Sequence, residues 1–342
     1  MGNPSSSKYF CIMNILKESY ENIMSAHDSK GAIFASFGAN VGVGISKFIA
    51  FTITGSSAML AEAIHSVADS SNQLLLLLGG KQAKKAPNRA HPFGYGRAHF
   101  LNAFIVAIVL FSLGGIFAIY EGYQKFHDPH MIEAPIVAYI VLAVAIALES
   151  FALRTVIKEA KTFKPKSQSW WRFLRTTKSI NHVVLTLEDT AALVGLILAA
   201  AGITLSLLTG NPTWDGVGTL LIGALLVVVA VILFIEAQSL LIGEGVDATT
   251  ERRMRKIILG VANVTHVVDF KTLYTGPSDI FIAMKVTVGA EDSATEVARA
   301  IDEIEARLRH EFPMAKLIYV EPDLFKTHDQ QKAADAEMKQ SL

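Results

Sequence analysis

GVGTLLIGALLVVVAVILFI, residues 216–235, runs for twenty residues without a charge, and the first ionisable group after it is Glu236. A bilayer core about 30 Å thick takes about 20 apolar residues wound as a helix, so this stretch is long enough to cross one. Working outward from it, five further windows have the same character, near 31–54, 57–80, 99–124, 134–157 and 180–208, with the sixth extending over 215–241. The composition agrees. Of 342 residues 51% are hydrophobic and only 18% charged, where soluble domains carry about 25% charge. Disorder, a secreted disulfide scaffold and an ordinary soluble enzyme are all poor fits. Lys+Arg and Asp+Glu balance at 31 each, so no global field recruits nucleic acid. The single cysteine, Cys11, can form neither an internal disulfide nor a thiolate cluster.

The loops orient the spans. Residues 81–97 carry Lys81, Lys84, Lys85, Arg89 and Arg97, and residues 158–178 carry Lys158, Lys161, Lys164, Lys166, Arg172, Arg175 and Lys178. The alternate loops hold only Lys125. The excess of cations on one side places both termini in the cytoplasm. Trp170 and Trp171, among the cations of the longer loop, read as an interfacial anchor. Residues 1–30 form a cytoplasmic segment without the pattern of a cleavable signal, and 8–25 have the apolar spacing of an amphipathic helix. Compact loops and the lack of a targeting extension point to a bacterial inner membrane, with an organelle membrane as the alternative.

The second span, LAEAIHSVADSSNQLLLLLGG (60–80), is not clean. Glu62, His65, Asp69 and Asn72 recur at helical offsets and share one face. A charge at mid-bilayer costs at least about 2.5–3.5 kcal/mol, so this stripe should face protein or water. The fifth span adds Glu188 and Asp189 inside an apolar run. Should Asp189 face the His65–Asp69 pair, one imidazole and two carboxylates would meet. That donor set suits a borderline dication such as Zn²⁺. The bland alternative is a buried His–Asp hydrogen bond that only joins helices. Carboxylates crowded in low dielectric need either a metal or protons, so the two compete for the same ligands. Rocking helices would turn that competition into metal/proton exchange, and the glycine-rich stretches GANVGVG (38–44) and GVGTLLIG (216–223) permit the close packing such movement requires.

Beyond residue 243 the pattern changes. A helix over 250–260, strands over 266–274 and 279–288, a second helix over 293–311 with Val297, Ile301, Ile304 and Leu308 on one face, and a strand over 317–322 give the order αββαβ. About 80 residues in this order make a small open-faced α+β sandwich. The domain boundaries are therefore 31–243 for the membrane domain and 244–326 for the soluble one, with a disordered tail over 327–342.

HSVAD (65–69), HPFGYGRAHF (91–100) and LIYVEPD (317–323) resemble the cation diffusion facilitators over nearly all of residues 31–325, and LEDTAALVG (187–195) resembles the zinc-transporter-nine-like branch of that family. The resemblance implies an all-α transmembrane six-helix domain plus a cytoplasmic α+β ferredoxin-like domain, in a homodimer within a lipid bilayer. It implies export of Zn²⁺, or a related ion, from the cytoplasm in exchange for protons. It implies no catalytic residue, cofactor or nucleic-acid partner. His65, Asp69 and Asp189 match metal ligands of the family. The remaining ligand position falls on Leu185, and its substitutes are water, Glu149 or His182. His182 lies about 10 Å from Asp189 along the helix and is better placed as a relay. Many relatives bind zinc through histidines on the soluble strands. Here those positions hold Val268, Met284 and Val320, so no such cluster is expected, and His266, His310 and His328 are scattered. His99 is either an entry residue or a loop donor.

Rival readings are a Mn²⁺ or Fe²⁺ exporter, favoured by an oxygen-rich site, a dimeric membrane metal sensor that does not transport, and an intramembrane zinc hydrolase. The last lacks an HExxH motif.

Overall fold

The computed structural model describes residues 30–164, 169–170 and 180–324. The amphipathic 8–25 segment, Cys11, Trp171, His328 and the 327–342 tail lie outside the described residues. The helices are α1 (Lys30–Thr54), α2 (Ser57–Ala83), α3 (Ala98–Val109), α4 (Phe117–His127), α5 (Pro135–Phe163), α6 (Ile180–Thr209), α7 (Thr213–Ile242), α8 (Ala248–Ile258) and α9 (Ala294–Glu311). The strands are β1 (His266–Gly276), β2 (Asp279–Val288) and β3 (Ala315–Leu324).

Four helical segments are long and apolar enough to cross a membrane: Ala98–His127, Pro135–Lys158, Val183–Thr209 and Thr213–Ile242. Among the described residues α1 contributes a shorter apolar stretch, Asn40–Thr54. The second of the six expected windows forms a 27-residue helix, α2. Its ionisable stripe keeps it below the apolarity of the other four. The third window is not one continuous α-helix as expected. Between α3 and α4, Leu110–Ile116 winds as a π-helix, and the Phe117 N–H reaches back five residues to the Ser112 carbonyl.

The described residues divide into two compact units, one holding 30–75, 106–162 and 185–232, the other holding 76–105, 163–164, 169–170, 180–184 and 233–324. In the first unit, α1 ends at Gly55, whose φ of +64° permits the sharp turn into α2. Ser56 then caps α2, its hydroxyl accepting from the Met59 N–H at 3.4 Å. The π-segment and α4 lie close against α7 along small residues. A methyl on Gly115 would stand 2.6 Å from Val227 Cγ2, and one on Gly223 would stand 2.7 Å from the Ile119 nitrogen. Glycine alone permits this approach. The GVGTLLIG stretch thus serves close packing, as expected. In the GANVGVG stretch only Gly44 does so, with Ser66 Cβ 3.3 Å from its would-be Cβ. Helix α5 starts on Pro135, the position where a missing N–H costs nothing. Its Ile136, Ile140, Val144 and Phe151 stay exposed, an apolar surface suited to lipid.

The second unit contains the sheet. β1 pairs antiparallel with β2, and β2 pairs parallel with β3, which makes β2 central. Ile280, Ile282, Met284 and Val286 alternate into the core. Helix α9 opens with a capping box between Ser293 and Glu296 and buries Ala300, Ile304 and Leu308. The αββαβ order read from the sequence is the order of the folded chain. The HPFGYGR loop packs on this sheet. Phe93 meets Phe281 edge-on at 5.8 Å, and Gly96 sits so close to the strand that an added Cβ would fall 2.3 Å from the Thr275 carbonyl oxygen. Asn88 closes the loop, accepting from the His91 N–H at 2.8 Å and donating to the Tyr95 hydroxyl at 2.7 Å.

Candidate metal site in the membrane helices

Helix α2 carries the polar stripe. Four of its groups, at 62, 65, 69 and 72, return to one side of a 3.6-residue spiral. The ends of that stripe each make one hydrogen bond to a neighbouring helix and keep one oxygen unpaired among the described residues, whereas His65 in its middle makes none. At one end Glu62 accepts from Lys47 Nζ of α1 at 2.9 Å, and both side chains are buried. The same ammonium donates to Ser66 Oγ at 2.9 Å. At the other end Asn72 donates to Glu188 Oε1 of α6 at 2.5 Å. These two links join α2 to α1 and to α6.

The middle is left open. His65 is 1% exposed, and neither of its ring nitrogens has a hydrogen-bond partner among the described residues. Asp69 Oδ1 stands 3.6 Å from His65 Nδ1, too far for a hydrogen bond, and is likewise buried without one. A His–Asp hydrogen bond that merely joins helices is therefore not what the structure contains. Buried polar atoms left unsatisfied are rare and call for an explanation. An imidazole nitrogen and a carboxylate oxygen 3.6 Å apart can be satisfied together by a cation.

Asp189 is half-buried on α6 and interacts electrostatically with Asp69 and Glu149. Glu149, half-buried on α5, interacts in turn with Lys47, Asp69, His65 and Glu62. Three helices thus present acids to one electrostatic neighbourhood. No three His, Cys, Asp or Glu side chains among the described residues close on a single ion position. The structure brings His65 and Asp69 together and keeps Asp189 within electrostatic reach. Leu185 is half-buried one turn before Asp189 and offers no donor. His182 falls in the first turn of α6, and its side chain lies outside the described residues.

Sequence reasoning missed two features. Lys47 is a charge inside an apolar helix, and an intramembrane charge is a functional signal by default. That signal was present in the sequence. The second is Asp215, fully buried in the first turn of α7. It accepts from Ser56 Oγ at 2.8 Å and from the Ser57 N–H at 2.9 Å, with Lys125 Nζ 4.0 Å away. Lys125 donates to the Gly55 carbonyl at 2.9 Å. This network is satisfied, and it pins the α1–α2 turn to α4 and α7.

The model of the cation efflux transmembrane domain matches residues 33–242, and that of the cation efflux protein cytoplasmic domain matches residues 246–323. The chain belongs to the cation efflux family. It is similar to the human proton-coupled zinc antiporter SLC30A9, mitochondrial, at 31% identity over 67% of this chain and 41% of that protein. It is also similar to metal tolerance protein C4 of Arabidopsis thaliana, at 29% identity over 73% of this chain and 55% of that protein. The chain spans 41% to 42% of the length of the SLC30A9 relatives it matches. Among solved structures, the nickel form of a MamM C-terminal domain variant aligns over 23% of this chain and 100% of its own, at 16% identity and a TM-score of 0.22. With the family model over its helices and four strongly apolar segments, this cation efflux protein is an integral membrane protein.

Proposed function

We propose that this protein exports a divalent cation, Zn²⁺ in the first instance, from the cytoplasm in exchange for protons, through a site built on His65, Asp69 and Asp189. The observation that carries the reading is the buried, unpaired middle of the α2 stripe. Both His65 ring nitrogens and Asp69 Oδ1 are buried without a hydrogen-bond partner among the described residues, with Nδ1 and Oδ1 3.6 Å apart, while Glu62 and Asn72 on either side each make one hydrogen bond to a neighbouring helix. One imidazole with carboxylates suits Zn²⁺. The ligands must lose protons to bind metal, so loading and proton release are linked. Alternating access around the site would make that linkage an exchange. The half-buried Asp189 and Glu149 support this, because their charges act on Asp69 from two other helices.

The same reading takes α1, α2, α3 with α4, α5, α6 and α7 as six membrane crossings. The loop cations put both termini in the cytoplasm, and the model that matches 246–323, described as a cytoplasmic domain, supports that side for the sheet. The short name of that model, ZT_dimer, supports a homodimer. The carboxylates grouped around Asp189 favour Mn²⁺ or Fe²⁺ as the second choice of cargo, since these ions accept oxygen-rich sites.

Reconstitution in vesicles loaded with a pH-sensitive dye tests the proposal. Adding Zn²⁺ outside should change the lumenal pH, and Mn²⁺ should do so more weakly. His65→Ala and Asp189→Ala should each abolish the response while the protein still elutes as the folded species. Undiminished exchange in both variants would sink the site, and no pH response in the unsubstituted protein would favour a sensor.

A further inference from the structure

We propose that Glu62 is an additional ligand for the transported dication and that the buried Lys47 ammonium competes with the dication for its carboxylate. The inference rests on the metal-site reading above and deepens it. Glu62 lies one helical turn before His65 on the same face of α2, near enough to share an ion with His65, whereas Asp69 is seven residues on and about 10 Å along the axis, so Glu62 and Asp69 take the ion in turn. It is fully buried, as is Lys47. Lys47 engages only one carboxylate oxygen, Oε2, at 2.9 Å. Oε1 is buried without a hydrogen-bond partner among the described residues. Oε1 packs against Gly195 of α6, where an added Cβ would stand 2.6 Å from that oxygen, so only a glycine there leaves the carboxylate its place. A pair whose only task was to join α1 to α2 would satisfy both oxygens, since a half-satisfied buried carboxylate is costly.

The position of the ammonium is the second part of the argument. Lys47 Nζ bridges Glu62 and Ser66, the residues that bracket His65 on the helix. The charges of Lys47 and Glu62 both reach His65 and Asp69. A tethered single charge beside several acids neutralises part of their repulsion and leaves the rest for a dication. An arriving Zn²⁺ carries two charges and can take Glu62 from the ammonium. A departing Zn²⁺ leaves Glu62 to be recaptured by Lys47. Lys47 thereby weakens resting affinity and speeds release, which favours turnover over retention.

Zn²⁺ binding by calorimetry in detergent, with transport kinetics in vesicles, tests this on the full chain. Glu62→Gln keeps the shape and a hydrogen bond to Lys47. It should weaken Zn²⁺ binding about tenfold or more. Lys47→Met should do the reverse, tightening Zn²⁺ binding about tenfold and lowering both KM and kcat. A role confined to joining helices would lower thermal stability in either variant and leave Kd where it was. Folded Glu62→Gln with unchanged Kd overturns the proposal. Should that variant not fold, an unchanged or weaker Kd in Lys47→Met overturns it instead. His65→Ala serves as the control. Loss of binding there with no change in Glu62→Gln removes Glu62 alone, whereas normal binding in His65→Ala removes the whole site.

Discussion

At the scale of single residues, the buried ionisable groups fall into two kinds. Asp215 has partners for both oxygens and a lysine 4.0 Å away, so its charge is accommodated in place. The His65 ring nitrogens and Asp69 Oδ1 have no hydrogen-bond partner among the described residues. A third case lies outside the membrane. Burial pushes the Tyr274 phenol up to about 12, with the Asp247 and Glu244 carboxylates adding to the shift. The folded chain holds that proton more tightly than the unfolded chain, whose tyrosines titrate near about 10. Its contribution to stability is complete below pH of about 10 and is lost as the pH rises toward about 12. The thermal midpoint of the purified protein should therefore fall between pH 9 and pH 11. Tyr274→Phe should shrink that fall, and an identical fall in the variant would refute the assignment.

At the scale of elements, the contact of the π-segment and α4 with α7 depends on backbones approaching closely. Gly115→Ala would place its methyl 2.6 Å from Val227 Cγ2 and 3.2 Å from the Val227 nitrogen. Overpacking of this kind costs about 1–3 kcal/mol. Thermal unfolding in detergent should show that loss, and Val227→Ala in the same chain should recover part of it. A wild-type midpoint for Gly115→Ala would mean that the contact yields freely. The π-turn itself was not legible. Leu110–Ile116 reads as ordinary apolar helix, and the extra residue in the turn is set by how Gly114 and Gly115 seat against Leu226 and Val227. The helix ends rest on local chemistry: Gly55 in a left-handed turn, Pro135 at a first position and Ser293 with Glu296 as a box.

For the whole molecule, the exposed apolar surface of α5 is a demand placed on the surroundings. Val144 is 56% exposed, which lipid tolerates and water does not. Val144→Arg should raise the cost of membrane insertion by about 2.5–3.5 kcal/mol, read as a smaller membrane-integrated fraction on expression. Equal integration would argue against a lipid-facing α5. Sequence alone determined the helical stretches, the order αββαβ of the soluble part and the polar stripe on α2, because length, apolar period and capping are properties of neighbouring residues. It also placed His65 and Asp69 one turn apart, a spacing that any helix imposes. Tertiary structure alone decided which partner each buried group met. Lys47 took Glu62, Glu188 took Asn72, and Asp215 took the serines of the α1–α2 turn. Helical period fixes where a side chain points around its own axis. The depth and rotation of one helix against another come from the packing of small residues such as Gly115, Gly195 and Gly223, and those contacts join positions far apart in the chain.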